Sequence, residues 1–563
     1  MRKWVFVLLS VSCFVYGQED FPEGSSGFNP KKAVVKQDCM VVSANPLASH
    51  AGLETLLKGG NAVDAAIVMQ LVLNVVEPQS SGIGGGAILL YYDHLTEDVK
   101  AYDGREMAPS GVNEKWFLGP DNLPIARAQA IVGGRSVGVP GVLKMLEQIH
   151  QEHGLLPWKE LFDPAIDLAD QGFKISSRLR ILSAQVPFIF QEDKIPEEGT
   201  VIKNPELAAT FRTLATEGVI PFYQGAIAQE IVEAIQKQGG VMTLADLAAY
   251  QVKVREPLIT SFGEYLVYGF PPPSSGGIAV AQILAILNEF DMTEQTLGSP
   301  SFIDLFSRAS RMAFADRDYY VADPDFFPVP VERLLDPEYL VKRAESVRRQ
   351  ELATHGQYPG ASLSCCPPML LSSGFEFPST SQICVIDSYG NGLSMTTSLE
   401  NAFGSKVMAG GFFLNNQLTD FSMIPEKDGK KAANRVEPRK RPMSSMSPTL
   451  VFKNVSKKNQ VYLALGSAGG AFIIDYVAKA LCGVLIFDQN IQEAISFPNF
   501  ASLFNRIDLE ADTFLTTLVP ALKALGNETR IMSLTSGTQG IQSIGGRLMG
   551  GADPRREGAA MGQ

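Results

Sequence analysis

S-T-S-Q-I-C-V-I-D-S-Y-G-N-G-L-S-M-T-T-S, residues 379–398, decides the fold. Ser381–Asp387 is rich in strand formers, Ser388–Asn391 is turn-like, and Gly392–Ser398 returns as a second strand, which together predict a β-hairpin. If Asp387 opposes Gly392, Ser398 lies opposite Ser381 and its hydroxyl is diagonal to Thr380, within side-chain reach. Three consecutive hydroxyls, Ser379, Thr380 and Ser381, therefore meet a fourth at the open end of the hairpin. The cluster is either a structural Thr–Ser ladder or a nucleophile with its partner.

Upstream, Leu352–Ser379 has little periodicity and carries Gly356, Pro359-Gly360, Cys365-Cys366-Pro367-Pro368, Ser372-Ser373-Gly374 and Pro378, the marks of an exposed loop. A loop of that length inside a compact domain is functional or disordered. Before it, residues 142–345 alternate helical stretches (Glu206–Glu217, Ala226–Lys237, Ile278–Phe290, Pro300–Ala315) with Pro and Gly breaks. Further back, Ala62–Val75 reads as a buried helix, followed by the glycine-rich loop Ser80–Gly86 and a strand over Ala87–Tyr92. That loop lacks the Lys-Ser/Thr of a phosphate loop and lies between helix and strand in the wrong order, so close packing of backbone is its better reading. Downstream, Val461–Leu465 reads as a strand, Gly466-Ser467-Ala468-Gly469-Gly470 as a loop and Phe472–Leu485 as a helix. Consecutive glycines there can present paired N–H donors to an oxyanion.

The chain has 563 residues, with 48 Lys+Arg against 60 Asp+Glu, a net charge of −12. An acidic balance excludes non-specific nucleic-acid binding, which needs a basic field. Arg2-Lys3 followed by the apolar run Trp4–Val11 reads as an export signal ending near Gly17, so the mature chain is expected in the periplasm or outside the cell. Lipid anchoring at Cys13 is the less favoured reading, because Ser10-Val11-Ser12 is a poor lead-in. No later run is long and apolar enough to span a bilayer. Cys39, Cys365, Cys366, Cys384 and Cys482 remain after signal removal, an odd number for a disulfide framework. Only five His occur, and none has metal-ligand spacing with Cys, so a base other than His is expected and no metal or cofactor is implied.

Beyond these local readings the sequence resembles the γ-glutamyltransferase family. The resemblance is carried by G-G-N-A-V-D-A-A at 59–66, E-P-Q-S-S-G-I-G-G-G at 77–86, D-G-R-E-M-A-P at 103–109, P-P-P-S-S-G-G at 271–277 and F-A-D-R-D-Y at 314–319. It continues through the T-S-Q-I-C-V-I-D motif at 380–387, F-G-S-K at 403–406, L-N-N-Q-L-T-D-F-S at 414–422, K-R-P-M-S-S-M-S-P-T at 440–449 and D-P-R-R-E-G-A-A at 553–560. It implies an α/β (α+β) fold, the four-layer αββα sandwich of the Ntn hydrolases, made as one precursor that cuts itself before a nucleophilic Thr. Aligned on Val385-Ile386-Asp387, the nucleophile is Thr380. Residues 1–17 are then the signal peptide, 18–379 the large chain and 380–563 the small chain of one intertwined catalytic domain.

The chemistry follows. A freed α-amine has a pKa near 8 and can serve as base for its own hydroxyl, which suits a His-poor chain. The resemblance implies that Gly469 and Gly470 receive the oxyanion and that Ser398 orients the nucleophile. It makes Arg105 the clamp on the substrate carboxylate, Ser444 and Ser445 its hydroxyl partners, and Gln417 and Asp420 the ammonium binders. The expected partners are γ-glutamyl compounds such as glutathione, with water or an amino acid or peptide as acceptor.

Three departures from the family pattern stand out. Gln382 takes the place of a frequent His, Glu400 the place of an Asn beside the substrate ammonium, and Met423–Lys440, which corresponds to the lid, is short and lacks an aromatic. They keep two other readings open: a glutaryl or cephalosporin-type acylase on the same scaffold, and an inactive secreted binding homologue. Asn454-Val455-Ser456 and Asn527-Glu528-Thr529 are glycosylation acceptors only in a eukaryotic secretory route.

Overall fold

A computed structural model describes residues 25–190, 193–349, 369–372, 374, 376, 379–453, 460–503 and 505–563. The export signal, Cys13, Cys365, Cys366, Asn454 and most of the 352–379 loop lie outside these residues.

Two seven-stranded antiparallel sheets face each other. Their strands, in chain order, are β1 (Val34–Lys36), β2 (Met40–Ser43), β3 (Gly86–Asp93), β4 (Asp98–Gly104), β5 (Lys253–Arg255), β6 (Leu258–Phe262), β7 (Tyr265–Gly269), β8 (Ser379–Ile386), β9 (Gly392–Glu400), β10 (Thr449–Lys453), β11 (Val461–Gly466), β12 (Gln539–Ile544), β13 (Arg547–Ala552) and β14 (Ala559–Gly562). One sheet runs β14-β2-β8-β9-β3-β4-β5, the other β1-β13-β12-β11-β10-β7-β6. Helices α1 (Pro46–Leu57), α2 (Ala62–Val76) and α3 (Val142–His153) cover the outer face of the first sheet. Helices α4 (Gly276–Asn288), α5 (Pro300–Tyr320), α6 (Ile473–Leu485) and α7 (Ile491–Ser496) form the layer outside the second. This is the expected αββα sandwich.

The pleat of β8 explains its place. Ile383 and Val385 point into the core shared with α1 and α2, whereas Cys384 and Ile386 point into the core between the sheets. Helix α2 is buried along its whole length, as its all-round apolar sequence requires. Its N-terminus is closed by a capping box between Asn61 and Asp64.

The hairpin register differs by one residue from the expected one. Thr380 pairs directly with Ser398, and Ser381 with Thr397. The reason lies in the turn: the Asp387 carboxylate accepts from Tyr389 N (3.0 Å), Asn391 N (2.9 Å), Asn391 Nδ2 (2.9 Å) and Ala62 N (2.8 Å). Asp387 thereby pairs with Asn391, and the loop shrinks to three residues, with Gly390 at φ +93°. Because side chains alternate, a one-residue slip changes the face each one occupies. The observed register puts Thr380 and Ser398 on the same face.

The glycine loop before β3 is used for close packing, as its sequence suggested. A Cβ on Gly84 would lie 2.1 Å from the Phe413 carbonyl, and one on Gly85 2.2 Å from the Ser398 carbonyl. Cys39, Cys384 and Cys482 are buried free thiols. Asn527 is buried, its amide bonded to Asp304 Oδ1 at 2.6 Å and to Arg311 Nη2 at 3.2 Å, so the folded chain withholds it from glycosylation. No helix among the described residues is long and apolar enough to cross a membrane.

Candidate active site

Thr380 stands near the start of β8, on the face turned toward the second sheet. Its Oγ1 is 3.1 Å from Ser398 Oγ. Ser398 Oγ donates to the Ser379 carbonyl at 2.9 Å and accepts from Glu400 N at 2.8 Å. A hydroxyl has one proton to give, so with that proton on the Ser379 carbonyl, Thr380 must be the donor in the pair. The bond joining Ser379 to Thr380 thus has a hydroxyl nucleophile beside it and a donor on its carbonyl. The strand register also shifts at this bond. Arg556 Nη1 holds the Thr380 carbonyl at 2.8 Å.

The neighbouring hydroxyls face elsewhere. Ser379 Oγ donates to the Gln79 carbonyl at 2.6 Å. Ser381 Oγ donates to Glu77 Oε2 at 3.1 Å on the helix side of the sheet, where Glu77 is paired with Arg178 at 3.2 Å. Burial raises the Glu77 carboxyl above its usual range, and Arg178 opposes that shift.

Strand β11 runs over the hairpin toward the Thr380 end. A Cβ on Gly392 would meet Val461, Ser394 Oγ donates to the Leu465 carbonyl at 2.8 Å, and a Cβ on Gly466 would lie 2.3 Å from the Gln382 amide. Gly469 and Gly470 follow the end of β11, with φ of +140° and +59°. A side chain at Gly469 would strike the Tyr476 ring at 2.5 Å. Gln382 itself is a buried inter-sheet residue: its Nε2 donates to Ser394 Oγ at 2.9 Å and its Oε1 accepts from Thr396 Oγ1 at 2.6 Å.

The charged residues converge beside this hairpin. Gln417 and Asp420 share one short 3-10 turn, Gln417–Asp420. Arg105, fully buried just past β4, donates to Gln417 Oε1 at 2.6 Å and to the Met443 carbonyl at 2.9 Å, and forms an ion pair with Asp420. Burial pushes the Asp420 carboxyl up to about 6, against the pull of Arg105. Glu400, at φ +83°, receives Asn416 Nδ2 at 2.5 Å and is close enough to Asp420 to act on its ionisation. The Ser444 carbonyl accepts from Ser275 Oγ at 2.7 Å, and Ser445 Oγ accepts from Arg317 Nη2 at 3.1 Å. This contact locks the 271–277 loop to the 443–447 segment. Residues 423–440 carry only a small hairpin, Glu426–Lys427 with Lys430–Lys431.

Four functional candidates escaped the sequence reading. Arg317 and Arg556 lay inside quoted motifs without a role. Asn416 bridges Glu400 and Thr419. Glu106 follows Arg105 and fits only because Gly86 lacks a side chain, whose Cβ would come within 2.3 Å of its carboxylate. Burial pushes Glu106 up to about 8, so it is largely protonated at neutral pH.

Comparison with known proteins shows what the chain is similar to. The family model described as Gamma-glutamyltranspeptidase matches residues 48–563. The glutathione hydrolase proenzyme of Bacillus subtilis (strain 168) is 34% identical over 556 residues, covering 94% of this chain and 92% of the relative. The proenzyme of the same name from Escherichia coli (strain K12) is 32% identical, covering 98% and 97%. Among solved structures, a cephalosporin acylase from Bacillus halodurans superposes with a TM-score of 0.80 at 25% identity over 97% of this chain and 99% of its own. The γ-glutamyltranspeptidase from Pseudomonas nitroreducens complexed with L-DON gives 0.51 at 34% identity, over 57% of this chain and 96% of its own.

Proposed function

Because the chain belongs to the γ-glutamyltranspeptidase family, whose curated members here are named glutathione hydrolases, we propose that Thr380 first cleaves its own peptide bond and then transfers γ-glutamyl groups. The chain is an enzyme of γ-glutamyl transfer and hydrolysis. The observation that carries the self-cleavage is the arrangement Thr380 Oγ1, Ser398 Oγ and Ser379 carbonyl, linked at 3.1 and 2.9 Å.

In the first reaction, Thr380 Oγ1 adds to the Ser379 carbonyl carbon and passes its proton toward Ser398. The Thr380 nitrogen takes a proton and leaves, so that Ser379 becomes an ester on Thr380 Oγ1. Water hydrolyses the ester, releasing a large chain of about 18–379 from a small chain of 380–563. In the second reaction the free Thr380 amine is the base for its own hydroxyl, which attacks the γ-glutamyl amide. Gly469 and Gly470 N–H groups receive the oxyanion; losing one such donor costs about 10²–10³ in rate. Water or an amine then resolves the acyl-enzyme. Arg105, with Ser444 and Ser445, is read as the carboxylate side of the pocket, and Asp420, Gln417 and Glu400 as the ammonium side. Export of the mature pair of chains is part of this reading, resting on Arg2-Lys3 and Trp4–Val11.

N-terminal sequencing of the smaller fragment tests the scheme, with a start at Thr380 expected. The cephalosporin acylase likeness gives a second reading, but two adjacent carboxylates, Glu400 and Asp420, favour a donor carrying an ammonium over a glutaryl group. Turnover of γ-glutamyl-p-nitroanilide without turnover of glutaryl-p-nitroanilide separates the two. Because the 423–440 stretch is short, hydrolysis is expected to exceed transfer to glycylglycine. Dominant transfer at modest acceptor concentration would contradict that.

A further inference from the structure

The uncleaved chain places its own carboxylate at the edge of the pocket. Ser372 and Gly374 each touch one of its walls: Ser372 N donates to the Asp318 carbonyl at 2.9 Å, and a Cβ on Gly374 would lie 2.3 Å from the Asp420 carbonyl. Glu376, four residues before Thr380, is ion-paired with Arg317, and both side chains are only 9% exposed. Arg317 also donates to Ser275 Oγ at 3.0 Å and Ser445 Oγ at 3.1 Å, and pairs with Asp318 at 2.7 Å. Its charge reaches Asp420 as well.

Self-cleavage and substrate turnover use one nucleophile, and each attacks a carbonyl whose acyl side must extend away from Thr380. In self-cleavage the acyl side is the segment that ends at Ser379 and includes Glu376. In turnover it is the γ-glutamyl group, which ends in a carboxylate. We propose that Arg317, with the Ser445 and Ser275 hydroxyls, is an anion-binding element of the donor pocket that the precursor fills with Glu376. Self-cleavage unties Glu376 from Thr380, and the vacated guanidinium then takes the α-carboxylate of the donor alongside Arg105. Arg317 is thus a further substrate-binding residue, and Glu376 an internal stand-in for substrate. This rests on the γ-glutamyl reading above. A planar guanidinium suits a carboxylate, and Arg317 keeps Asp318 on Nη1 while Nη2, which held Glu376, is freed for the donor.

The test compares γ-glutamyl-p-nitroanilide with its α-carboxamide analogue in the self-cleaved enzyme. The wild type should prefer the carboxylate donor. In Arg317→Gln that preference in kcat/KM should shrink at least tenfold, with Arg317→Lys intermediate. An unchanged preference, even at lower overall activity, would overturn the proposal, because a merely structural role depresses both donors alike. If Arg317→Gln fails to fold or cleave, the charge-swapped pair Arg317→Glu with Glu376→Arg restores the intrachain contact. That double variant should self-cleave on a gel yet lose the carboxylate preference. Retention of the preference there, or in Arg317→Lys, would also overturn it. Failure of the underlying reading looks different: wild-type enzyme that turns over neither donor.

Discussion

The proposed nucleophile hairpin and the proposed donor pocket beside it are built by opposite routes. The hairpin is one run, 379–400, closed by the Asp387 turn and held by strand pairing between residues near in sequence. The pocket joins Arg105 to Asp420 and Gln417, more than 300 positions away, and Ser445 to Arg317. The hairpin's working groups are neutral hydroxyls in an already satisfied ladder. The pocket's are buried charges paired with one another. A lesion in the hairpin should therefore remove chemistry and spare the fold, whereas a lesion in the pocket should cost both binding and stability.

The largest expected effect breaks the hairpin side. Thr380→Ala should leave one uncleaved band near the full chain mass of 61.0 kDa and no detectable turnover, with a Tm close to that of the wild-type precursor. Next comes the pocket. Asp420→Ala strips Arg105 of its closer ion-pair partner and leaves the buried guanidinium only Glu106, 3.5 Å away and largely protonated, a change that costs about 3–5 kcal/mol in comparable buried pairs. Donor kcat/KM should fall by about 10²–10³ and the melting temperature by several degrees; a loss of activity with no loss of stability would erase the distinction between the two regions.

A smaller effect tests the two faces of one strand. Ser398→Ala removes the donor on the Ser379 carbonyl and should slow self-cleavage by about 10²-fold, the lower end of what loss of one positioned donor costs, with Ser398→Thr restoring it. Ser381→Ala, one residue from Thr380 but on the helix side against Glu77, should change the cleavage rate by no more than a few-fold. Equal slowing by both would mean that the register of 380 with 398 does not matter. Time courses of precursor loss on a gel decide it.

The same contrast explains what could be read beforehand. The hairpin was legible because strand period and turn residues are local signals, and the αββα sandwich followed from the family motifs. The register was missed by one residue because Asn391 looked like turn, yet its amide and N–H bind Asp387 and make it a strand partner. Gly469 and Gly470 could be suspected as donors from sequence, but the crossing of β11 over the hairpin of the other sheet, with Gly466 against Gln382, is a long-range feature. The pocket was legible only through resemblance. Nothing local in F-A-D-R-D-Y announces that Arg317 reaches Ser445, or in R-E-M-A-P that Glu106 needs the gap at Gly86. Such contacts depend on long-range convergence, which periodicity does not encode.

The smallest expected effect is a divergence with pH, and it sharpens the comparison because the two regions should answer differently. The ionised form of Asp420 is the one that can bind an ammonium. Burial raises this carboxyl from its ordinary value to about 6, so below about pH 6 donor kcat/KM should fall more steeply than protonation of the Thr380 amine, near pH 8, alone makes it, by up to a further tenfold per unit. The stability sign is opposite. A carboxyl whose folded pKa lies above its unfolded value binds more protons in the folded state, so its contribution to stability grows as pH falls from about 6 toward 4. Comparing Asp420→Asn with the wild type isolates that contribution. The wild type should gain melting temperature relative to the variant over this interval while its donor affinity declines. The hairpin hydroxyls do not titrate there, so the self-cleavage rate should show no inflection near pH 6. An inflection shared by self-cleavage and donor turnover would mean that Asp420 serves the nucleophile as well as the pocket.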